Sequence, residues 1–149
     1  MNATSKKYFF AGSFVLLTII DQIFKYIIRQ QGGFYVCNKG VAFSLPIPWW
    51  IIYTFFALFF IFIVLYLLGK IKFESFIINQ WGLILVAGGA LGNLIDRLNF
   101  GCVVDFIDLK IFPVFNLADI FIFCGVVLIL WKARGEKEIS SETSEKQSS

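Results

Sequence analysis

Two aspartates stand where ionisable groups are expensive. Asp105 lies in GCVVDFIDLK, and Asp119 lies in FPVFNLADIFIF, directly ahead of an apolar run. A carboxylate beside hydrocarbon is usually paired, solvated through a cavity, or functional. The two are 14 residues apart, with Pro113 between them to turn the chain. If they approach each other, their repulsion raises one pKa and the pair shares a proton. One carboxylate can then activate water while the other, protonated, donates to a carbonyl oxygen. A structural reading of Asp119 is as concrete. An acidic residue in the first turns of a helix is favoured by the helix dipole. Asn116, three residues earlier, suits a cap or a hydrogen-bond partner. Asp108 competes with Asp105, but it has Lys110 nearby and no adjoining apolar helix, which reads as a loop ion pair or surface group. The chain has no His, which disfavours a nucleophilic Ser or Cys triad.

Two further polar sets sit in apolar sequence. Asp21 and Lys25, in TIIDQIFKY, have the i,i+4 spacing that places them on one helix face. A salt bridge with Lys25 snorkelling outward explains them, and so does the polar wall of an active-site cavity. In GGALGNLIDR, Gly88, Gly89 and Gly92 permit close helix packing, although the Gly88–Gly92 GxxxG unit is a weak signal by itself. Asn93 and Arg97 are four apart and can face one site, where Arg97 could hold a carboxylate or a lipid phosphate. Asp96 and Arg97 are adjacent and point in different directions, so bonds to other elements are expected rather than a mutual ion pair. Cys37, Cys102 and Cys124 form no CxxC unit, which with the lack of His argues against structural zinc. Cys37 and Cys102 could be close if their loops share a membrane side. The absence of a spaced framework favours two free or buried thiols.

The elements that must position these groups are written in the hydropathy. The 149 residues are 58% apolar and 15% charged, with 19 Phe, a composition of a single-domain membrane protein. The net charge of +3 would permit nucleic-acid binding, but the basic residues form no stripe. Four apolar segments run from about Tyr8 to Ile28, Trp49 to Leu68, Phe76 to Ile95 and Phe115 to Trp131. Each is close to the ~20 residues a helix needs to cross ~30 Å of hydrocarbon. The first follows Lys6 and Lys7 as a secretory signal would, but three later spans and no clear cleavage site argue for a retained helix. Lys6, Lys7, Lys70, Lys72, Lys132, Arg134, Lys137 and Lys146 fall on one side; Arg29, Lys39, Arg97 and Lys110 fall on the other. The bias of eight to four puts both termini in the cytoplasm and both aspartates on the opposite face. Between the first two spans, FYV and VAF are extended-type runs flanked by Gly32–Gly33 and Asn38–Lys39–Gly40, which reads as a small sheet-like or re-entrant element. The expected architecture is an all-α polytopic membrane protein with four transmembrane helices and a small non-cytoplasmic β-like element. Residues 1–134 form the membrane domain, and the Ser-, Glu- and Lys-rich stretch 135–149 is expected to be a disordered cytoplasmic tail.

The ordered motifs resemble the lipoprotein signal peptidase (signal peptidase II) family over about residues 15–131. They are DQIFK at Asp21–Lys25, NKGVAFS at Asn38–Ser44, GGALGNLIDR at Gly88–Arg97, GCVVDFID at Gly101–Asp108 and FNLAD at Phe115–Asp119. The resemblance implies four transmembrane helices with a β-like cradle outside. It implies an aspartyl endopeptidase of the bacterial cytoplasmic membrane that removes signal peptides from diacylglyceryl-modified prolipoproteins, cutting before the lipidated cysteine. It assigns catalysis to Asp105 and Asp119. It sets Asn38, Asn93, Arg97 and Asn116 along the site, Asp21 and Lys25 as a supporting pair, and Asp96 in a structural role. It implies no metal or cofactor, membrane lipids as neighbours, and sensitivity to the cyclic peptide globomycin. The stretches before the second span and between Asp108 and FNLAD are shorter than is usual in the family, which bears on the shape of the cradle. The rival reading is a small ion- or proton-coupled transporter whose intramembrane carboxylates bind cations, for which broken spans and an inverted repeat would speak.

Overall fold

A computed structural model describes residues 3–40, 47–70 and 80–148. In chain order these form α1 (Ala3–Gln30), β1 (Val36–Asn38), α2 (Trp49–Leu67), α3 (Gln80–Phe100), β2 (Val103–Asp105) and α4 (Leu117–Ser148). The described residues are therefore mainly helical, with four helices and one small open sheet among them, as the hydropathy implies. The expected start of the third span at Phe76, the VAF run and Ser44 lie outside the described residues.

Three of the described helices are long and apolar enough to cross a membrane: Tyr8–Gln30 of α1, Trp50–Leu67 of α2, and α3. α4, the fourth expected span, is not among them. Between Asp119 and Lys132 its uninterrupted apolar run, Ile120–Trp131, covers only about 18 Å at 1.5 Å per residue, short of a ~30 Å hydrocarbon core. Beyond it, α4 continues as helix to Ser148. Glu, Lys and Gln propagate a helix that is already nucleated, and no Pro interrupts them.

Glycines of α3 decide how the helices meet. A Cβ on Gly82 would lie 2.7 Å from the Gly125 carbonyl of α4, and one on Gly125 would lie 2.6 Å from the Gly82 carbonyl. A turn or two away, Gly89 lies against Ala118 of α4 in the same manner. The other face of α3 meets α1: a Cβ on Gly88 would lie 2.9 Å from the Phe14 carbonyl, and one on Gly92 would run into the Asp21 carboxylate. Backbone-to-backbone packing of this kind needs small residues because lipid supplies no hydrophobic drive between helices. A second cluster, Phe10 of α1, Ile63 of α2, and Leu83, Ile84 and Ala87 of α3, fills the end remote from the sheet. The outer faces present Leu16, Phe24, Phe55, Leu58 and Phe123, each half exposed or more, as a lipid-facing surface requires.

The helices hand over to the strands through glycine caps. Gly32 (φ 69°) follows α1, and Gly101 (φ 71°) follows α3 with its N–H donating to the Arg97 carbonyl at 3.0 Å. β1 and β2 then pair antiparallel, Val36 opposite Asp105, Cys37 opposite Val104, and Asn38 opposite Val103. The extended element expected within the first loop thus exists, but its partner comes from the loop after α3. Cys37 and Cys102 are bonded to each other, with Cα atoms 5.4 Å apart. This overturns the expectation of free thiols at those two positions, while Cys124 is free and exposed.

Candidate active site

Asp105 ends β2, and Asp119 is the third residue of α4, with Asn116 as the residue before that helix begins. The N-terminus of α4 is closed by a reciprocal pair. Asn116 Oδ1 accepts the Asp119 N–H at 3.0 Å, and Asp119 Oδ2 accepts the Asn116 N–H at 3.1 Å. This is a capping box built from Asn and Asp, so the capping expected of Asn116 is present. The same Asn116 serves the other carboxylate: its side-chain N–H donates to Asp105 Oδ1 at 2.6 Å. One asparagine therefore holds both aspartates.

Two more asparagines complete the cage. Asn38 Nδ2 donates to Asp105 Oδ2 at 2.9 Å, and Asn38 Oδ1 accepts the Gly40 N–H at 2.9 Å, which turns the chain after β1. Asn93 Nδ2 donates to Asp119 Oδ1 at 2.8 Å. Asn93 Oδ1 in turn accepts from Asn116 Nδ2 at 3.1 Å and from Lys25 Nζ at 2.9 Å. All four carboxylate oxygens of Asp105 and Asp119 thus accept at least one N–H. Asp105 is 1% exposed. Burial is the largest influence on it and drives its pKa up to about 6. The neighbouring Asp119 charge pushes the same way, against hydrogen bonds from Asn38 and Asn116 and the charge of Lys25.

Behind the cage lies a buried ion cluster. Lys25 Nζ reaches Asp21 Oδ2 at 2.8 Å and Asp96 Oδ2 at 3.0 Å, and all three residues are fully buried. The expected intrahelical pair of Asp21 and Lys25 is there, but Lys25 does not snorkel; it points inward and spends its third N–H on Asn93. Asp21 Oδ1 accepts the Ala118 N–H at 2.9 Å, so a carboxylate of α1 also caps α4. Asp96 Oδ2 accepts the Val104 N–H at 3.0 Å, which fastens β2 to α3. Asp96 thus bonds to other elements, as its position beside Arg97 implied.

Arg97 Nη2 donates to the Gly40 carbonyl at 2.7 Å and its Nη1 to the Asn93 carbonyl at 3.4 Å, so its hydrogen bonds join Gly40, just after β1, to α3, while the charges of Asp119 and Asp105 act on it from nearby. Asp108 keeps to the loop, accepting the Lys110 N–H at 2.8 Å and pairing with the Lys110 ammonium, which holds its pKa below the usual carboxylate range. Sequence reasoning missed Gln22 and Thr18. Gln22 Nε2 donates to the Gly92 carbonyl at 3.1 Å and to Asp96 Oδ1 at 3.0 Å, and Thr18 Oγ1 donates to the Gly88 carbonyl at 2.9 Å. The signal was available: Thr18, Asp21, Gln22 and Lys25 recur at i, i+3, i+4 and i+7, one polar stripe along an apolar helix.

Two buried or capped carboxylates on one hydrogen-bonded frame, one of them with a pKa near 6, make an acid–base couple for activating water. Comparison with known proteins agrees in kind. Residues 13–134 match the family model described as signal peptidase (SPase) II. The lipoprotein signal peptidase of Syntrophomonas wolfei is 40% identical over 136 residues, covering 81% of this chain and 89% of that protein. That of Moorella thermoacetica is 39% identical over 132 residues, covering 79% and 87%. A solved structure described as a bacterial membrane enzyme superposes with a TM-score of 0.69 at 30% identity, over 92% of this chain and 90% of that one.

Proposed function

The chain belongs to the signal peptidase II family, and from that premise we propose that Asp105 and Asp119 are the catalytic pair of an aspartic endopeptidase of the membrane. Its substrate is a diacylglyceryl-modified prolipoprotein, cut at the peptide bond preceding the lipidated cysteine. The observation that carries the residue assignment is the double use of Asn116, which caps Asp119 and donates to Asp105.

Asp105, with its pKa raised to about 6, is the group suited to hold the shared proton. It donates that proton to the scissile carbonyl oxygen while Asp119 removes one from the attacking water. Collapse of the tetrahedral intermediate returns a proton to the leaving amine, and the C–N bond breaks. Asn93 and Asn38 keep the carboxylates oriented, Asn116 bridges them, and Arg97 holds the Gly40 carbonyl just after β1. Lys25 and Asp21 support from behind. No step calls on a metal or cofactor.

The peptidase unit spans residues 1–134, and both termini lie in the cytoplasm of a bacterial cell with the site at the opposite face of its membrane. The asymmetry of basic residues supports this, as does a disulfide beside the site, since such bonds persist on the oxidising side. A fourth crossing by α4 is supported by its antiparallel course along α3, from Ala118 at Gly89 to Gly125 at Gly82, since α3 is long and apolar enough to span. Globomycin is an expected inhibitor. The transporter reading calls for broken spans, and α1, α2 and α3 each run unbroken through their described residues.

The test is cleavage of a lipidated precursor, and of its unlipidated form, by the enzyme in membranes. Asp105→Asn and Asp119→Asn should each lower the rate by about a hundred- to ten-thousandfold with insertion intact. Full activity in either variant, or equal cleavage of the unlipidated form, sinks the assignment.

A further inference from the structure

β1 is three residues long, and its Val36 and Cys37 are exposed. A two-stranded ladder of this size does not hold itself together in water. β2, by contrast, is anchored: its residues are buried, and the Val104 N–H is held by Asp96 of α3. Besides the short ladder and the Arg97 bond to Gly40, what crosses between the two is the covalent bond from Cys37, at the centre of β1, to Cys102, one residue ahead of β2. Cys37 immediately precedes Asn38, and Asn38 Nδ2 donates to Asp105 Oδ2 at 2.9 Å. We propose that the Cys37–Cys102 disulfide is a positioning device for the cleavage reaction, keeping Asn38 in register against Asp105.

The inference rests on Asp105 being catalytic. Within that reading, Cys37 and Cys102 take no part in the chemistry and act through Asn38. The bond can also be opened experimentally, because Cys37 is exposed and offers a sulfur to an attacking thiolate. A dithiol reductant leaves as its cyclic disulfide while Cys37 and Cys102 become thiols. Asn38 favours the charged form of Asp105, so freeing it moves that pKa further up. Of the charged groups facing Asp105, Asp119 and Lys25 are held by Asn93, Asn116 and Asp21 and do not depend on β1, whereas Arg97 shares the Gly40 carbonyl with the released segment.

The experiment uses the full chain in lipid bilayers with a lipidated precursor. Reduction with dithiothreitol should lower kcat by about ten- to hundredfold with little change in KM, shift the limb of the pH–rate profile set by Asp105 to higher pH, and be reversed by reoxidation. C37S/C102S should reproduce the loss and be indifferent to dithiothreitol, and Cys124→Ser should behave as the parent. In an Asn38→Ala background, removing the disulfide should cost little more, whereas a bond that only stabilised the fold would add its full effect. An oxidised enzyme that cleaves, and keeps its rate and pH profile when reduced, overturns the inference alone. So does an undiminished cost in the Asn38→Ala background. An oxidised, inserted enzyme that does not cleave overturns the reading on which it rests.

Discussion

At the scale of single residues the site is a problem of keeping charge in a dry place. Lys25 solves it by splitting three N–H donors among Asp21, Asp96 and Asn93. The third bond has a directional consequence. With Asn93 Oδ1 occupied, its amide N–H must face Asp119. Removing one member of a buried ion cluster leaves its partners uncompensated, so Lys25→Met should destabilise the protein by about 3–5 kcal/mol. Thermal unfolding in detergent measures this, and a loss under 1 kcal/mol would show that Lys25 is dispensable to the fold. Asp105 is the opposite case, a residue kept at a cost to stability. Its folded pKa is about 6 against an ordinary 3.8, so the fold binds this proton more tightly than the unfolded chain does. The resulting stabilisation is present below pH 3.8 and is lost as pH rises through 6. The stability of Asp105→Asn relative to the parent should therefore be more favourable at pH 7.5 than at pH 4, while cleavage is gone. A relative stability that falls between pH 4 and pH 7.5 would contradict the sign.

At the scale of elements, the packing of α3 is the part with the least slack. Gly82 and Gly125 touch through their backbones, and a methyl at either meets the other's carbonyl oxygen as well as a side chain, Ile129 or Val86. Gly125→Ala should cost about 1–3 kcal/mol of stability and lower cleavage only as far as it lowers the folded fraction. Gly92→Ala should differ, because its methyl displaces the Asp21 carboxylate that caps α4 beside Asp119; there the rate per folded molecule should fall too. Activity normalised to folded enzyme distinguishes the two, and equal behaviour would refute the distinction. The elements also show what a sequence can carry. The helices were readable because long apolar runs have few other fates, and the motif residues Asp105, Asp119, Asn93 and Asn116 were readable as one site through their ordered resemblance to a family. The β1–β2 pairing was not, since three-residue strands have no period to detect. Nor was the disulfide, because cysteines 65 residues apart reveal their distance only once the loops are folded. Burial of Lys25 was misjudged because its acceptors Asp96 and Asn93 lie on another helix, invisible to i,i+4 reasoning.

At the scale of the molecule, polar and apolar work are separated along the bundle. The ion cluster, the asparagine cage and the sheet gather where α1 and α3 end and α4 begins, while Phe10, Ile63, Leu83, Ile84 and Ala87 pack the far end. That polarity requires the site to lie at one face of the membrane, and the question is whether α4 carries the chain back across. Its twelve-residue apolar run is too short by itself, yet Asp119 is engaged in the capping box and in the bond from Asn93, and Lys132 is long enough to reach an interface. Neither charge then has to sit in hydrocarbon. In a Cys124→Ser background, a cysteine replacing Ile111, which is 81% exposed in the loop after β2, should react with a membrane-impermeant maleimide in spheroplasts. A cysteine replacing Ser144 should react only after permeabilisation. Labelling of both from outside would mean that α4 lies along the surface and the protein crosses three times; labelling at position 144 alone would invert the orientation drawn from the basic residues.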